Sequence, residues 1–248
     1  AIAGGLASVS YDGNTVSAPT KDINGLSRGA LPDMGAIENS LNKKLTVAYV
    51  SKNGSDSNVG TSASPFLTVQ KGINATSGGD TVLVASGTYT ENITHTSGTN
   101  ITLASQYLTT QDTSYISSTI IDGNENGPVI YTNNSSTSLN LIGLTLTNGG
   151  AIDDPYNCSS CVIGGGIYGY QGDTLVLDHT VIRNNSTEST SASGGVHTNN
   201  FNYVKIADTK IADNISPDYY NVLIGTDDFE MTNTLVEGNE SRYAAVWI

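Results

Sequence analysis

From residue 80 onward, apolar and polar positions alternate in short runs: "TVLVASGTY", "NITLAS", "STIIDG", "PVIYT" and "LNLIGLTLTN". A period of two sends successive side chains to opposite faces of a strand, so each run predicts a short β-strand with one apolar side. The helical period occurs once, in "PFLTVQKGIN" at 65–74. There Pro65 stands at a first turn, and Phe66, Val69 and Ile73 share a face, which predicts one short N-terminal capping helix near 65–74.

From residue 139 the alternation becomes a repeat. "LNLIGLTLTNG" (139–149), "LVLDHTVIRNN" (175–185), "VKIADTKIADN" (204–214) and "FEMTNTLVEGN" (229–239) align without gaps. One column is Leu139, Leu175, Val204, Phe229; a second is Leu141, Leu177, Ile206, Met231; a third is Leu146, Ile182, Ile211, Val236. The last is Gly149, Asn185, Asn214, Asn239. The short segments "GGGIYGY", "GGVHTNN", "NVLIGTD" and "AAVWI" lie between the units. One unit cannot bury its apolar face alone, whereas stacked units place identical residues above one another. Asn at a corner can bond the next Asn up the stack. Helical crossovers are missing, which excludes a doubly wound sheet, and hairpin signals for a β-sandwich leave the columns unexplained. The expected fold is all-β, a right-handed parallel β-helix.

Composition agrees: 37% hydrophobic, 13% charged and 27 Gly in 248 residues, with Ser, Thr and Asn doing most of the solvating. Ten basic residues against 23 acidic ones leave a net charge of −13. No Lys/Arg cluster occurs, so nucleic acid is not an expected partner. No run reaches the roughly 18–20 apolar residues of a membrane span, so no membrane insertion is expected. Cys158 and Cys161 in "YNCSSC" read as a small loop-closing disulfide, because one CxxC supplies too few ligands for a structural zinc.

Candidate chemistry is sparse. A polysaccharide lyase would want a Lys or Arg base beside clustered carboxylates. The candidates are Arg183, Lys205, Lys210 and Arg242, with Asp178, Asp208, Asp227 and Asp228, all read as corner or turn positions. Asp153-Asp154 and Asp227-Asp228 are doublets along a strand, whose members point to opposite faces and make poor catalytic pairs. His95, His179 and His197 read as corner or exposed histidines. "DGNENG" at 122–127 matches half of a calcium loop but has Asn133 where the bidentate Glu belongs. No catalytic residue and no cofactor are assigned, calcium being the one ion these loops could hold weakly. Tyr168, Tyr170, Phe201, Tyr203, Tyr219 and Tyr220 could line a groove that stacks sugars.

The stretch from Tyr49 to Ile93 resembles the cap and first coil of secreted bacterial right-handed β-helix proteins, the pectate-lyase and chondroitinase-B-like group. The matching residues are Tyr49-Val50-Ser51, Asn53-Gly54, Asp56, Gly60-Thr61, Pro65-Phe66, Gln70, Gly79-Asp80-Thr81 and Gly87-Thr88-Tyr89. "KDINGLSRGALPDMGAIEN" is similar to the closing segment of a choice-of-anchor β-helix, through Asp22, Gly25, Arg28, Pro32-Asp33, Gly35-Ala36 and Glu38. The resemblance implies a terminal coil at 1–38, a linker at 39–48, and a cap with its β-helix at 49–248. It also implies an extracellular or cell-surface setting.

Two functions follow. The leading expectation is a non-enzymatic structural or adhesive protein. It would assemble head-to-tail into a filament, or form part of a tandem surface rod. Copies would join by strand addition through Ile2, Val9, Val16, Ala244, Val246, Trp247 and Ile248. The alternative is a carbohydrate-active enzyme, a lyase or hydrolase, or a glycan-binding module.

Overall fold

The computed structural model describes residues 8–11, 14–17, 46–153, 162–187, 192–243 and 246–248. The chain divides into two compact units, Ala1–Lys44 and Leu45–Ile248. In the first, Ser8–Tyr11 pairs antiparallel with Asn14–Ser17, Val9 opposite Val16. The segment 22–38, the cysteine pair, Asp154, Ile2 and Ala244 lie outside the described residues.

The second unit is a right-handed parallel β-helix with three faces. The first face stacks Val47–Val50, Asp80–Val84, Asn100–Ser105, Ser138–Ile142 and Gly172–Asp178, then the latter parts of Val196–Ala207 and Val222–Thr232. The second face stacks Gly87–Thr90, Thr119–Asp122, Thr145–Thr147, Val181–Arg183, Lys210–Ala212 and Leu235–Glu237. The third stacks Ile93–His95, Ile130–Thr132 and Ile167–Gly169, then the beginnings of the two long strands and Val246–Trp247. Those long strands run from the third face into the first, with a register shift between Thr198 and Phe201.

The expected columns form. Val82, Leu103, Leu141, Leu177 and Ile206 lie in register on the first face and are fully buried, with Met231 next in line. Leu146, Ile182 and Ile211 do the same on the second face. The asparagine column bonds as a ladder. The Gly149 amide donates to Asn185 Oδ1 (2.8 Å), and Asn185 Nδ2 donates to Asn214 Oδ1 (2.9 Å). Asn214 Nδ2 in turn donates to Asn239 Oδ1 (2.9 Å).

Two corners set the coil. Leaving the first face, Gly143, His179, Asp208 and Asn233 all take positive φ, between 48° and 66°. Leaving the second, Asn148, Asn184, Asp213 and Gly238 do likewise. The left-handed region suits Gly, Asn and Asp, which explains why the repeat carries them there.

The capping helix α1 spans Val69–Ala75, later than 65–74. Thr68 takes the cap position, its hydroxyl accepting from the Lys71 amide (3.2 Å), so Pro65 and Phe66 precede the helix. The carboxylate of Glu91, from the next turn of the solenoid, accepts from the Val69 and Gln70 amides (2.9 and 3.0 Å). These bonds satisfy amides that a helix start leaves open. Two short helices that the periodicity did not predict, α2 (Tyr107–Thr110) and α3 (Ser114–Ser118), are inserted between Asn100–Ser105 and Thr119–Asp122. No helix among the described residues is long and apolar enough to cross a membrane.

Candidate functional site

The outward side of the first face carries two rows of mostly polar side chains. Register sets them: Ser138, Thr174, Tyr203 and Asp228 form one row, and Thr102, Asn140, Val176, Lys205 and Glu230 the next. Tyr203 Oη donates to Glu230 Oε2 (2.9 Å), and Lys205 Nζ lies 3.2 Å from Glu230 Oε1. One carboxylate thus joins two neighbours on the adjacent strand. These bonds hold Glu230 below the ordinary carboxylate range. The same bonds hold Tyr203 and Lys205 above their ordinary values. Upstream, Asp173 accepts from Asn202 Nδ2 (2.9 Å) and Ser138 Oγ (3.0 Å), which keeps its carboxyl below the usual range.

The corner beyond this surface gathers the titratable groups. Asp178 ends the strand Gly172–Asp178, and His179 and Asp208 occupy the positive-φ corner of successive coils. His179 Nδ1 is 2.6 Å from Asp178 Oδ1. One ligand atom from each of Asp178, His179 and Asp208 lies within 4.8 Å of the other two. Asn233 Nδ2 donates to Asp208 Oδ1 (2.6 Å). The Tyr107 ring of α2 stacks on the His179 ring at 4.6 Å and walls this corner. Gly143 makes the approach feasible: a Cβ there would stand 2.6 Å from Tyr107 Cβ. Burial raises the Tyr107 phenol, and the charges of Asp178 and Asp208 raise it further. Two carboxylates and an imidazole are also a donor set for a divalent cation.

The lyase candidates are only partly brought together. Lys205 is not a corner residue. It sits mid-strand, facing outward, within the field of Asp178. Its bond to Glu230 keeps it an ammonium, which removes it as a Brønsted base. Lys210 pairs with Glu237 (2.7 Å) and Arg242 with Asp218 (3.3 Å). Arg183, Asp153, Asp227 and Asp228 are exposed. In "DGNENG", Asp122 accepts from the Asn124 amide (2.9 Å) and from Asn148 Nδ2 (3.0 Å), which ties its carboxylate into the turn.

The expected aromatic groove divides among three places. Phe201 is core, 1% exposed, its ring pressed against Gly169 and Gly172, so it is unavailable to a sugar. Tyr203 lies on the first face. Tyr168 stands on the outward column of the third face with Tyr131 and His197. That column is not free: Ile163, Ala192, Ile152 and Tyr170 pack over it. The stack continues through Tyr219 and Tyr220 to Tyr243 and Trp247. Burial brings His197 down to about 4. His95 is buried too, so two of the three histidines are neither exposed nor at corners. Of the strand-addition residues, Val9 and Val16 pair with each other, Val246 is half-buried on the third face, and Trp247 and Ile248 are exposed.

No known protein-family profile matches the chain, and no curated protein matches it. Among solved structures it is similar to pectin methylesterase PemA from Erwinia chrysanthemi, at 13% identity and a TM-score of 0.48. That match covers 80% of this chain and 67% of the other. It is also similar to the pectin methylesterase from Aspergillus niger, at 12% identity and a TM-score of 0.35, over 82% and 90%. Both are named as pectin methylesterases. Neither is a structural or adhesive protein, so the leading expectation of a non-enzymatic filament or surface rod finds no counterpart in these neighbours, whose likeness to this chain is one of fold.

Proposed function

We propose that this chain is an extracellular carbohydrate-active β-helix protein that lays a polysaccharide across the outward side of its first face. One observation carries the reading: the half-buried Asp178 and His179 and the exposed Asp208 converge beside a row of prearranged hydrogen-bonding groups. The row offers what sugar hydroxyls need, an aromatic body in Tyr203, a carboxylate acceptor in Glu230 and an ammonium donor in Lys205. At the corner, Asp178 accepts from His179 Nδ1 and so leaves Nε2 with its lone pair. An imidazole oriented by a carboxylate in this way is suited to activating water for hydrolysis. Asp208 stands beside it to stabilise the imidazolium that forms.

The test is a panel of plant and bacterial polysaccharides. Binding is read by affinity electrophoresis, and cleavage by the release of reducing ends or acid. The expectation is retardation by at least one polymer, weakened by Glu230→Ala, and hydrolysis abolished by His179→Ala with binding retained. A folded chain that neither binds nor cleaves any member overturns the reading.

A further inference from the structure

A second place in the β-helix brings a serine hydroxyl towards a buried imidazole. Between the end of α1 and the turn following Ile93–His95 lies a cleft of about 350 Å³. Ile73, Asn74 and Ser77 form one side and His95, Ser97 and Thr99 the other. His95 belongs to an inward column, in register with Thr132, and is 2% exposed. Its Nε2 lies 2.9 Å from the Thr99 carbonyl oxygen. A carbonyl only accepts, so Nε2 carries the proton and Nδ1 keeps the lone pair. Burial holds this imidazole below its ordinary value, hence neutral at pH 7. Ser97 Oγ stands 3.5 Å from that Nδ1 and 2.8 Å from Thr99 Oγ1. With Nδ1 an acceptor, the Ser97 hydroxyl is the donor towards it, and the Thr99 hydroxyl donates in turn to Ser97 Oγ.

We propose that Ser97 is a nucleophile, His95 its general base and the Thr99 carbonyl its orienting group, in a cleft that takes a short-chain carboxylic ester. The contact of 3.5 Å is longer than a working hydrogen bond, but nucleophile–base pairs in empty sites are often this loose and tighten on substrate. A pair inside the same molecule shows what else is needed. Ser193 Oγ also lies 3.5 Å from His197 Nδ1, yet Ser193 is 0% exposed and no ester can reach it. Ser97 is exposed and lines an open cleft.

The chemistry balances with water alone. Ser97 Oγ bonds to the ester carbonyl carbon as its proton passes to His95 Nδ1. The bond from that carbon to the alcohol oxygen then breaks, and the alcohol leaves with the proton. Water next gives a proton to Nδ1 and bonds to the acyl carbon. Finally the bond to Ser97 Oγ breaks, the serine takes the proton back, and the carboxylic acid departs.

The experiment treats the full chain with a fluorophosphonate probe, maps adducts by mass spectrometry, and follows p-nitrophenyl acetate hydrolysis. The expected result is one dominant adduct, on Ser97, with ester hydrolysis lost in Ser97→Ala, an exposed position that leaves the fold intact. His95→Gln should slow labelling of Ser97 by roughly 100-fold, within the 10²–10⁴ span of general-base catalysis. Labelling of Ser97 no faster than of the exposed Ser57, or acetate hydrolysis unchanged in Ser97→Ala, overturns the proposal. The probe needs no polysaccharide, so the first-face reading and this one fail separately.

Discussion

At the scale of single residues, burial rather than charge pairing governs the histidines of the solenoid wall. His197 is enclosed by Tyr168 and Tyr219 and sits near 4, whereas an unfolded chain would hold it near its ordinary value of 6.5. The unfolded state therefore binds the proton first. Stability is fully present above about 6.5 and is lost as pH falls towards 4, by up to about 3 kcal/mol at 1.36 kcal/mol per pH unit. His95 is lowered by burial as well and acts in the same direction. Thermal unfolding followed by circular dichroism should show a midpoint that drops between pH 7 and pH 5. In His197→Phe, which keeps the ring stack without a proton site, that drop should shrink. An equal drop in both proteins would remove His197 as its cause.

At the scale of elements, what repeats was legible in the sequence in full, and what occurs once was legible only in part. The columns through Leu141 and Leu146 and the ladder from Gly149 to Asn239 follow from aligned repeats, because stacking converts an equal offset in sequence into vertical contact. Helix α1 was legible as an element, but its start was not. That start depends on Asp56 accepting from the Leu67 and Thr68 amides and on Glu91 reaching back from 22 residues downstream, and no local period encodes such contacts. Helices α2 and α3, with four and five residues, are too short to show a period at all. The ladder also yields a prediction. Asn214 accepts from the Asn185 amide and side chain, and donates to the Ile182 carbonyl and to Asn239. Asn214→Ala leaves several buried polar groups unpaired, at about 1–3 kcal/mol each before relaxation. Urea unfolding should report a loss of about 3 kcal/mol or more. A loss below about 1 kcal/mol would mean that water replaces the side chain in the ladder.

At the scale of the whole molecule, function was less legible than fold for a physical reason. Interior positions must repeat to stack, whereas outward positions such as Tyr203, Lys205 and Glu230 repeat in no other coil, so no column announces them. Their meaning arises only when register sets two strands side by side. Asp178 and His179 fall in the repeat frame, but a corner residue with positive φ reads as a turn former until Tyr107 and Asp208 are found around it. The charge of the chain then constrains the ligand. At −13, the protein repels a polyuronate over distances comparable to the Debye length, and a neutral polysaccharide feels no such field. Raising salt from about 10 mM to about 150 mM shortens that length from about 30 Å to about 8 Å. If the first face takes uronate polymers, their affinity should rise across this interval, while the affinity of a neutral glycan stays level. Calorimetric titration at the two salt concentrations distinguishes the cases. Uronate affinity that falls with salt would instead mean that the ammonium of Lys205, despite its bond to Glu230, makes a direct ion pair with the ligand that outweighs the field of the whole chain.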